Sequence, residues 1–324
     1  GGLMRARPIV FVSKCLGFEA CRWDGAIIND KFVERLGKHV NFLTNCPEKE
    51  IGLGCPRSPI RIVQLDGRKT LYQPATEIDI SKEMAKYTAK LAASLKREDL
   101  SGFILKSRSP SCGIKDVKLF KSGKENSAPA GATSGYFGEA VLSGFGGLAI
   151  EDDGRLSNFL IRENFLTKVF VHAEFLRIKH SGKPRDLTEF QAKNKLLLMS
   201  FCEKEMRILG KLAANLENKP FQVVISLYEL HLLKAFENPS TFKANINVLE
   251  HALGYFKEEL TKEEKKYFLQ SLEKYRKGKL PLSAVTALLQ LWILKYRVEY
   301  LRDQTYFSPY PEELVDISDS GKGR

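Results

Sequence analysis

The sequence contains no run of 18 or more apolar residues, and its first residues lack the apolar core of a secretory signal. We therefore expect no membrane span and a cytoplasmic protein. There are only six cysteines among 324 residues. Without a secretory signal they indicate a reducing compartment, where clustered cysteines more often bind metal or act in catalysis than form disulfides.

Several signatures of other protein classes are also missing. The five histidines show no metal-ligand spacing, and no Ser-His-Asp order suggests a hydrolase triad. Cys15 and Cys21 are too far apart for a zinc knuckle. Residues 122–147 are rich in glycine, serine and alanine but have no Gly-x-Gly-x-x-Gly register, which argues against a dinucleotide site. We interpret this segment as a mobile loop that borders the site.

The net charge of +12 is spread evenly, with +6 in residues 1–155 and +6 in the remainder. An even spread favours a broad surface that faces a polyanion rather than a single basic tail. A basic protein that is merely soluble would show the same balance, so charge alone leaves both interpretations open.

The first half of the chain alternates strand-like and helix-like segments. Strand-like runs occupy residues 8–13, 40–44, 61–65 and 102–106. Residues 81–96 have the apolar spacing of a helix. Strands and helices that alternate in this way predict βαβ units, so we expect an α/β domain with a Rossmann-like, mostly parallel sheet.

Beyond Glu151-Asp152-Asp153-Gly154 the apolar spacing becomes helical almost throughout. We predict about six helices and an all-α second domain. The predicted boundaries are 4–155 for the α/β domain, 156–316 for the helical domain and 317–324 for a tail.

Three cysteines each follow the end of a predicted strand. Cys15 follows the run 8–13, Cys46 follows 40–44, and Cys112 follows 102–106 and a Ser-Pro-Ser turn. The carboxyl ends of parallel strands lie at one edge of a sheet, where open α/β sheets place their sites. We therefore expect the three thiols to meet at that edge.

Thiolates are soft ligands that select zinc, copper(I) or iron–sulfur clusters. A cubane is large enough to collect one thiolate from each of three loops, and three protein ligands leave one iron with an open position. The alternative is that these cysteines are small buried apolar residues. We interpret Cys55 and Cys202 in that second way, as packing residues.

Other polar residues accompany the three cysteines. Glu48 follows Cys46 by two residues, so its carboxylate is a candidate general acid or base. The hydroxyls of Ser109 and Ser111 are candidate hydrogen-bond partners of a substrate or a cluster sulfur, or else serve the turn around Pro110. Cys21 is a candidate fourth ligand or a thiol that lies beside the ligands. Asp24 is a candidate hydrogen-bond partner of a ligand loop, with Arg22 as its alternative partner.

A basic run brackets Cys112. Its candidate phosphate contacts are Lys106, Arg108, Lys115 and Lys118. A solvated basic face is the other interpretation of such a run.

Four short motifs together resemble the thiouracil desulfidase family over about residues 8–155. The matching strings are Cys15-Leu16-Gly17 with Cys21-Arg22-Trp23-Asp24-Gly25, Cys46-Pro47-Glu48, Gly52-Leu53-Gly54-Cys55-Pro56-Arg57 and Ser107-Arg108-Ser109-Pro110-Ser111-Cys112-Gly113. Residues 158–316 resemble the YbgA-like helical domain that is often fused to this family. Asn194 and Phe201 depart from that domain's pattern, because they occupy positions where it is expected to carry histidines.

The two-domain arrangement resembles desulfidases that convert 4-thiouridine in tRNA to uridine. The resemblance implies a 4Fe-4S cluster held by Cys15, Cys46 and Cys112, with Glu48 moving protons and Ser109 orienting or activating. It also implies sulfide release without net redox change, and tRNA as the partner. We expect no membrane contact and infer no obligate protein partner.

Two alternatives stay open at this point. The same chemistry would suit free thiouracil or another small thioamide. A protein of another class, a non-enzymatic iron–sulfur or zinc module that binds nucleic acid, would also use clustered cysteines and a basic surface.

Overall fold

The computed structural model describes residues 7–65, 67–124 and 126–318. The chain forms two compact units. The first comprises the residues up to Glu174 together with those from Pro311 onwards, and the second runs from Phe175 to Tyr310. The units therefore divide within a helix, whereas the predicted domain boundaries at 155 and 316 stay predictions.

The described residues form nine strands and eleven α-helices. The strands are β1 (Ile9–Ser13), β2 (Asn41–Asn45), β3 (Arg61–Leu65), β4 (Arg68–Gln73), β5 (Ile78–Asp79), β6 (Leu100–Leu105), β7 (Val117–Phe120), β8 (Pro129–Thr133) and β9 (Ala149–Asp152). The helices are α1 (Lys31–Leu36), α2 (Pro47–Glu50), α3 (Ser81–Leu95), α4 (Tyr136–Gly144), α5 (Phe159–Ser181), α6 (Pro184–Ala214), α7 (Phe221–Ala235), α8 (Phe242–Leu253), α9 (Lys262–Arg276), α10 (Leu282–Tyr296) and α11 (Glu299–Arg302).

The centre of the first unit is a four-stranded parallel sheet in the order β2-β1-β6-β9. All six residues of β6 are buried, as expected for an inner strand that is covered on both faces. On one face Phe11 and Phe103 pack with Phe137 of α4 and Leu95 of α3. The prediction of a parallel-strand sheet with helices is confirmed, and the Rossmann-like detail stays a prediction.

The other face of the sheet is closely approached by α5. Gly102 of β6 lies so near this helix that a methyl group there would come within 2.9 Å of the Val169 side chain. The sheet therefore admits only glycine at this point without a shift, which brings α5 close to the inner strand.

A second, five-stranded sheet in the order β5-β4-β3-β7-β8 was not predicted. The run 61–65 is indeed a strand, but β3 pairs antiparallel with β4 and not with the parallel sheet. The prediction of a loop over residues 122–147 is wrong, because this segment contains β8 and α4. Strand β8 (Pro-Ala-Gly-Ala-Thr) has no apolar pattern that predicts a strand, because it carries no large apolar residue.

The second unit is helical, as predicted. Its longest helix, α6, is kinked at Cys202, which has a non-helical backbone. Aromatic side chains fill its interior, with Tyr228 stacked on Phe175 at 5.7 Å between ring centroids. Among the described helices, none combines the length and the apolar character that crossing a membrane requires.

The segment after Pro311 returns to the first unit. Arg162 of α5 donates to the backbone carbonyls of Asp316, at 2.5 Å, and Ser318, at 2.7 Å. The Asp316 carboxylate pairs with Arg35 of α1. These contacts hold the last described residues against the unit that contains the sheet.

Candidate active site

Cys15, Cys46 and Cys112 follow β1, β2 and β6, which are neighbours in the parallel sheet. Cys15 and Cys112 are buried, and Cys46 is partly buried as the residue that precedes α2. The three thiols lie close enough to affect one another, because Cys46 contributes to the raised pKa of both Cys15 and Cys112. The three cysteines therefore follow the carboxyl ends of neighbouring strands, at the edge of the sheet where the sequence predicts them.

The protonation of the thiols depends on burial and on one sulfur contact. Burial raises the pKa of Cys15 to about 12 and raises that of Cys112 as well. Cys46 differs, because its interaction with the Cys21 side chain lowers the pKa of Cys46 and raises that of Cys21. The Cys46 thiol also donates to the Cys21 carbonyl at 3.7 Å, so the two residues are in direct contact.

Glu48 is the centre of a buried polar network beside these thiols. Its Oε2 atom accepts hydrogen bonds from Nε and Nη2 of Arg57, at 3.0 and 2.5 Å. The two side chains are only 10% and 4% exposed. Arg57 also donates from Nη1 to the carbonyls of Cys21 and Gly54, so one guanidinium joins the loops after β1 and β2.

The other carboxylate oxygen, Oε1, faces two serine hydroxyls. Ser111 donates to it at 2.5 Å, and Ser109 lies at 3.4 Å. The Oγ atom of Ser109 accepts from the backbone N–H of Cys112, at 3.1 Å, and is 3.0 Å from the hydroxyl of Ser111. Ser111 is fully buried and Ser109 only partly, so the hydroxyls form a short chain from the surface side to Glu48.

Helix α4 holds the loop that carries Cys112. Three amides at the start of this helix donate to the loop: Tyr136 to the carbonyl of Pro110, and Phe137 and Gly138 to that of Ser111. Helix N-termini have free amides that need such partners. A methyl group at Gly138 would lie 2.1 Å from the Gly113 carbonyl oxygen. The absence of a side chain at Gly138 therefore permits this contact.

Lys106 has a partner other than the predicted one, whereas Asp24 has the alternative partner that the sequence offered. Lys106, predicted to contact phosphate, pairs with Asp153 at 2.5 Å and is only 21% exposed. The carboxylate of Asp153 also accepts from the Ser107 amide, because β6 and β9 are adjacent strands that end together. Asp24 pairs with Arg22 and accepts from the Ala26 amide, so it closes its own turn.

The other basic residues near Cys112 are at the surface. Arg108, Lys115 and Lys118 are exposed. Arg108 has a left-handed backbone with φ of 60°, which is uncommon for a residue other than glycine and frequent at functional sites. These three side chains are available to a polyanion, whereas Lys106 is already paired.

The remaining cysteines and the two departures from the family pattern have structural contacts. The interpretation of Cys55 as a buried packing residue is wrong, because it is exposed and its thiol donates to the carbonyls of Ala20 and Arg22. Cys202 is partly buried at the kink in α6. Asn194 accepts a hydrogen bond from Thr305 at 2.7 Å, and Phe201 packs on Phe236.

The donor set suits a cluster of several ions. Within residues 7–65, 67–124 and 126–318, no three His, Cys, Asp or Glu side chains converge closely enough to hold a single ion. In an iron–sulfur cluster each iron takes its own thiolate, so the ligands surround the group rather than meet at one point. Three neighbouring thiols on three separate loops fit this requirement.

Sequence comparison with known proteins adds the family. The family model described as 2-thiouracil desulfurase matches residues 10–153. The Bacillus subtilis (strain 168) protein YbbK is 31% identical over 110 residues, which cover 32% of this chain and 73% of that protein. The chain belongs to the 2-thiouracil desulfurase family. The matched residues 10–153 include the cysteines and polar residues described above, except Cys202 and Asn194. Phe201 also lies outside the matched region.

Other matches cover the helical region or the fold. A second family model, described as a protein of unknown function (DUF1722), matches residues 195–311. The Escherichia coli (strain K12) protein YbgA is 24% identical over 161 residues, 49% of this chain and 95% of that protein. A solved structure of the 4Fe-4S-dependent thiouracil desulfidase TudS is 22% identical, covers 46% of this chain and 93% of that chain, and has a TM-score of 0.36.

The sequence predictions missed four residues that contribute to the candidate site. Arg57 was visible only as the end of a motif, although a buried carboxylate such as Glu48 needs a cationic or hydrogen-bonding partner. Asp153 was read as part of a domain boundary. Gly135 and Gly138 were read as loop residues, because nothing in a glycine-rich string reveals which backbone will lie against it.

Proposed function

We propose that this protein is a desulfidase that replaces the sulfur of a thiolated pyrimidine with oxygen, using a 4Fe-4S cluster held by Cys15, Cys46 and Cys112. One observation carries the proposal. Three thiols follow three adjacent parallel strands, and a buried Glu48–Ser111 pair lies beside them. Family membership supports the same class of reaction.

When bound, the cluster supplies an iron without a protein ligand, which acts as a Lewis acid toward the thiocarbonyl sulfur. Cys15, Cys46 and Cys112 would hold it as thiolates. Their loops are fixed by Arg57 on one side and by the start of α4 on the other. Such pre-organisation keeps the ligands in place when the substrate enters.

The chain's own residues would manage the protons. Replacing C=S by C=O consumes one water and releases hydrogen sulfide, so the attacking water must lose protons and the departing sulfur must gain them. Ser109 and Ser111 connect the surface side to Oε1 of Glu48 through contacts of 3.0 and 2.5 Å. Glu48 would therefore receive a proton from the water through these hydroxyls and later return it to the sulfur.

We further propose that the substrate is 4-thiouridine in tRNA. The chain carries a net charge of +12, and Arg108, Lys115 and Lys118 are exposed near Cys112 in the chain. Cations in this position favour a phosphate backbone over a neutral base. The alternative substrate, free 2-thiouracil, is favoured by the description of the matching family.

The test is anaerobic reconstitution of the cluster followed by incubation with tRNA that contains 4-thiouridine, and then with free thiouracil. We expect 4-thiouridine to be replaced by uridine in the digested tRNA, with release of one sulfide per nucleoside. Faster turnover of the free base would move the substrate to thiouracil. A cluster-loaded protein that converts neither would contradict the desulfidase function.

Two variants provide the controls. Cys46→Ser removes a proposed ligand, and we expect it to lose both iron and activity. Cys55→Ser changes an exposed cysteine only nine residues away and is expected to keep both. Equal behaviour of the two variants would contradict the assignment of the ligands.

A further inference from the structure

Trp23 is a large apolar side chain in an unusual position. It lies two residues after Cys21, and 47% of it is exposed. The sequence has only two tryptophans, and the other one, Trp292, is buried in the helical unit. Phe18 and Ile27 on the same loop are each 41% exposed. The loop that carries Cys15 and Cys21 therefore presents a concentration of apolar surface.

The turn that carries Trp23 is held rigidly. The Gly25 amide donates to the Arg22 carbonyl at 3.0 Å. Asp24 forms two hydrogen bonds of 3.1 Å with the Arg22 side chain and accepts from the Ala26 amide at 3.0 Å. A rigid turn presents the indole with little conformational entropy left to lose when a ligand binds.

The same turn is attached to the catalytic network. The backbone amide of Arg57 donates to the Trp23 carbonyl at 2.8 Å. The guanidinium of Arg57 in turn holds Glu48 and the Cys21 carbonyl. One residue thus holds both the proposed proton-transfer group and the backbone of the turn that carries the indole.

We propose that Trp23 is a stacking platform for a nucleobase. Aromatic side chains beside nucleic-acid sites stack on unpaired bases, and each stacked base contributes about 1–3 kcal/mol, which is roughly a 5- to 150-fold effect on affinity. The base comes from one of two sources: it is the reacting pyrimidine itself, or it is its neighbour in an RNA strand. The inference deepens the proposed function, because it assigns a recognition residue to that site.

The experiment measures binding rather than turnover. In the full-length Trp292→Phe protein, Trp23 is the sole tryptophan, so its fluorescence reports directly on stacking. The probes are free uridine and a short single-stranded oligouridylate, neither of which is a substrate. Quenching by uridine identifies the reacting ring as the stacked base, and quenching by the oligonucleotide alone identifies a neighbouring base. Absence of quenching with both probes would overturn the proposal.

Affinity measurements separate stacking from general apolar contact. We expect Trp23→Leu to weaken oligouridylate binding about tenfold and Trp23→Phe to stay within about threefold of the parent protein, because only phenylalanine retains an aromatic face. Ile27→Ala, on the same loop and similarly exposed, is the matched control and is expected to bind as the parent does. Equal affinities for the leucine and phenylalanine variants would overturn the proposal.

Salt dependence provides a further readout. Loss of a stacking residue lowers affinity at every salt concentration without changing the slope of log K against log salt, whereas loss of a phosphate contact reduces that slope. We expect an unchanged slope for Trp23→Leu and a smaller one for Lys115→Gln. A changed slope for Trp23→Leu would assign the loss to charge. Because binding needs no turnover, a failed desulfidase assay leaves this result interpretable.

Discussion

Buried polar side chains serve different purposes in the two units. In the first unit, Ser13, Glu48 and Ser111 lie at the carboxyl end of the parallel sheet, next to three thiols. In the helical unit, buried polar groups lie between helices, as where Tyr228 donates to Gln191 at 2.6 Å. In the first unit the hydrogen-bonded side chains extend through Ser109 toward the surface. In the helical unit Tyr228 and Gln191 bond to each other within the core. Buried polar groups of the first unit thus serve the candidate active site, whereas those of the helical unit hold helices together.

The largest expected effect comes from the cysteines of the first unit. Replacing Cys15 or Cys112 by serine should abolish cluster assembly and activity, because thiolates are the ligands of such clusters. Cys202→Ser in the helical unit should retain both. Iron and sulfide analysis measures the outcome, and a cluster that survives Cys112→Ser would remove this cysteine from the ligand set.

The next effect concerns Glu48. Glu48→Gln keeps the shape of the side chain but cannot carry a proton, so we expect kcat to fall by about 10²–10⁴-fold. Iron content should stay unchanged, since Glu48 is not a proposed ligand. Single-turnover kinetics on the reconstituted protein measures the loss, and near-normal turnover with an intact cluster would contradict the proton-transfer role.

Arg57→Lys should have a smaller effect of the same kind. A lysine ammonium cannot make the four contacts that the guanidinium makes with Glu48, Cys21 and Gly54, so we expect roughly a tenfold loss in kcat. If Arg57 acts through Glu48, its loss should add little to Glu48→Gln. Additive losses in the double variant would show that the two residues act separately.

The helical unit should respond in stability instead. Tyr228→Phe leaves the buried Gln191 carbonyl oxygen without its donor, at a cost of about 1–3 kcal/mol in the free energy of unfolding. Turnover of free thiouracil by the folded protein should not change. Chemical denaturation and a turnover assay test the two halves of this expectation, and a loss of turnover without a loss of stability would break the comparison.

The smallest effect concerns Glu163, a partly buried acid outside the network of the candidate site. Burial raises the pKa of Glu163 to about 7, although Arg162 opposes the shift. Between its unfolded pKa near 4.5 and about 7, the unfolded state ionises first, so the folded protein loses stability as pH rises. Glu163→Gln should therefore match the parent at pH 4 and be more stable above pH 7, on the order of 1 kcal/mol. Equal stability at both pH values would contradict the raised pKa.

The sequence allowed the sheet edge to be predicted, because strand ends carry their own signal. Apolar runs followed by Cys15, Cys46 and Cys112 were sufficient to place these residues near one another. The helices of the second unit were equally visible from their periodicity. Both predictions rest on short-range sequence patterns, and the folded protein contains the elements that these patterns predict.

Elements that depend on distant partners were not predicted. Strand β3 has the same apolar pattern as the strands of the parallel sheet, and only its pairing with β4 and β7 assigns it to the second sheet. The roles of Arg57 and Asp153 depend on side chains 9 and 47 positions away, namely Glu48 and Lys106. Such pairs have no spacing rule, so a single sequence does not reveal them.

The return of the chain after Pro311 makes the helical unit an insertion in topological terms. The polypeptide leaves the first unit within α5 and re-enters it before Asp316, whose carbonyl accepts from Arg162. A protein cut at residue 155 would lose both the start of α5 and this returning segment. A deletion of residues 175–310 would instead retain both of them in the chain.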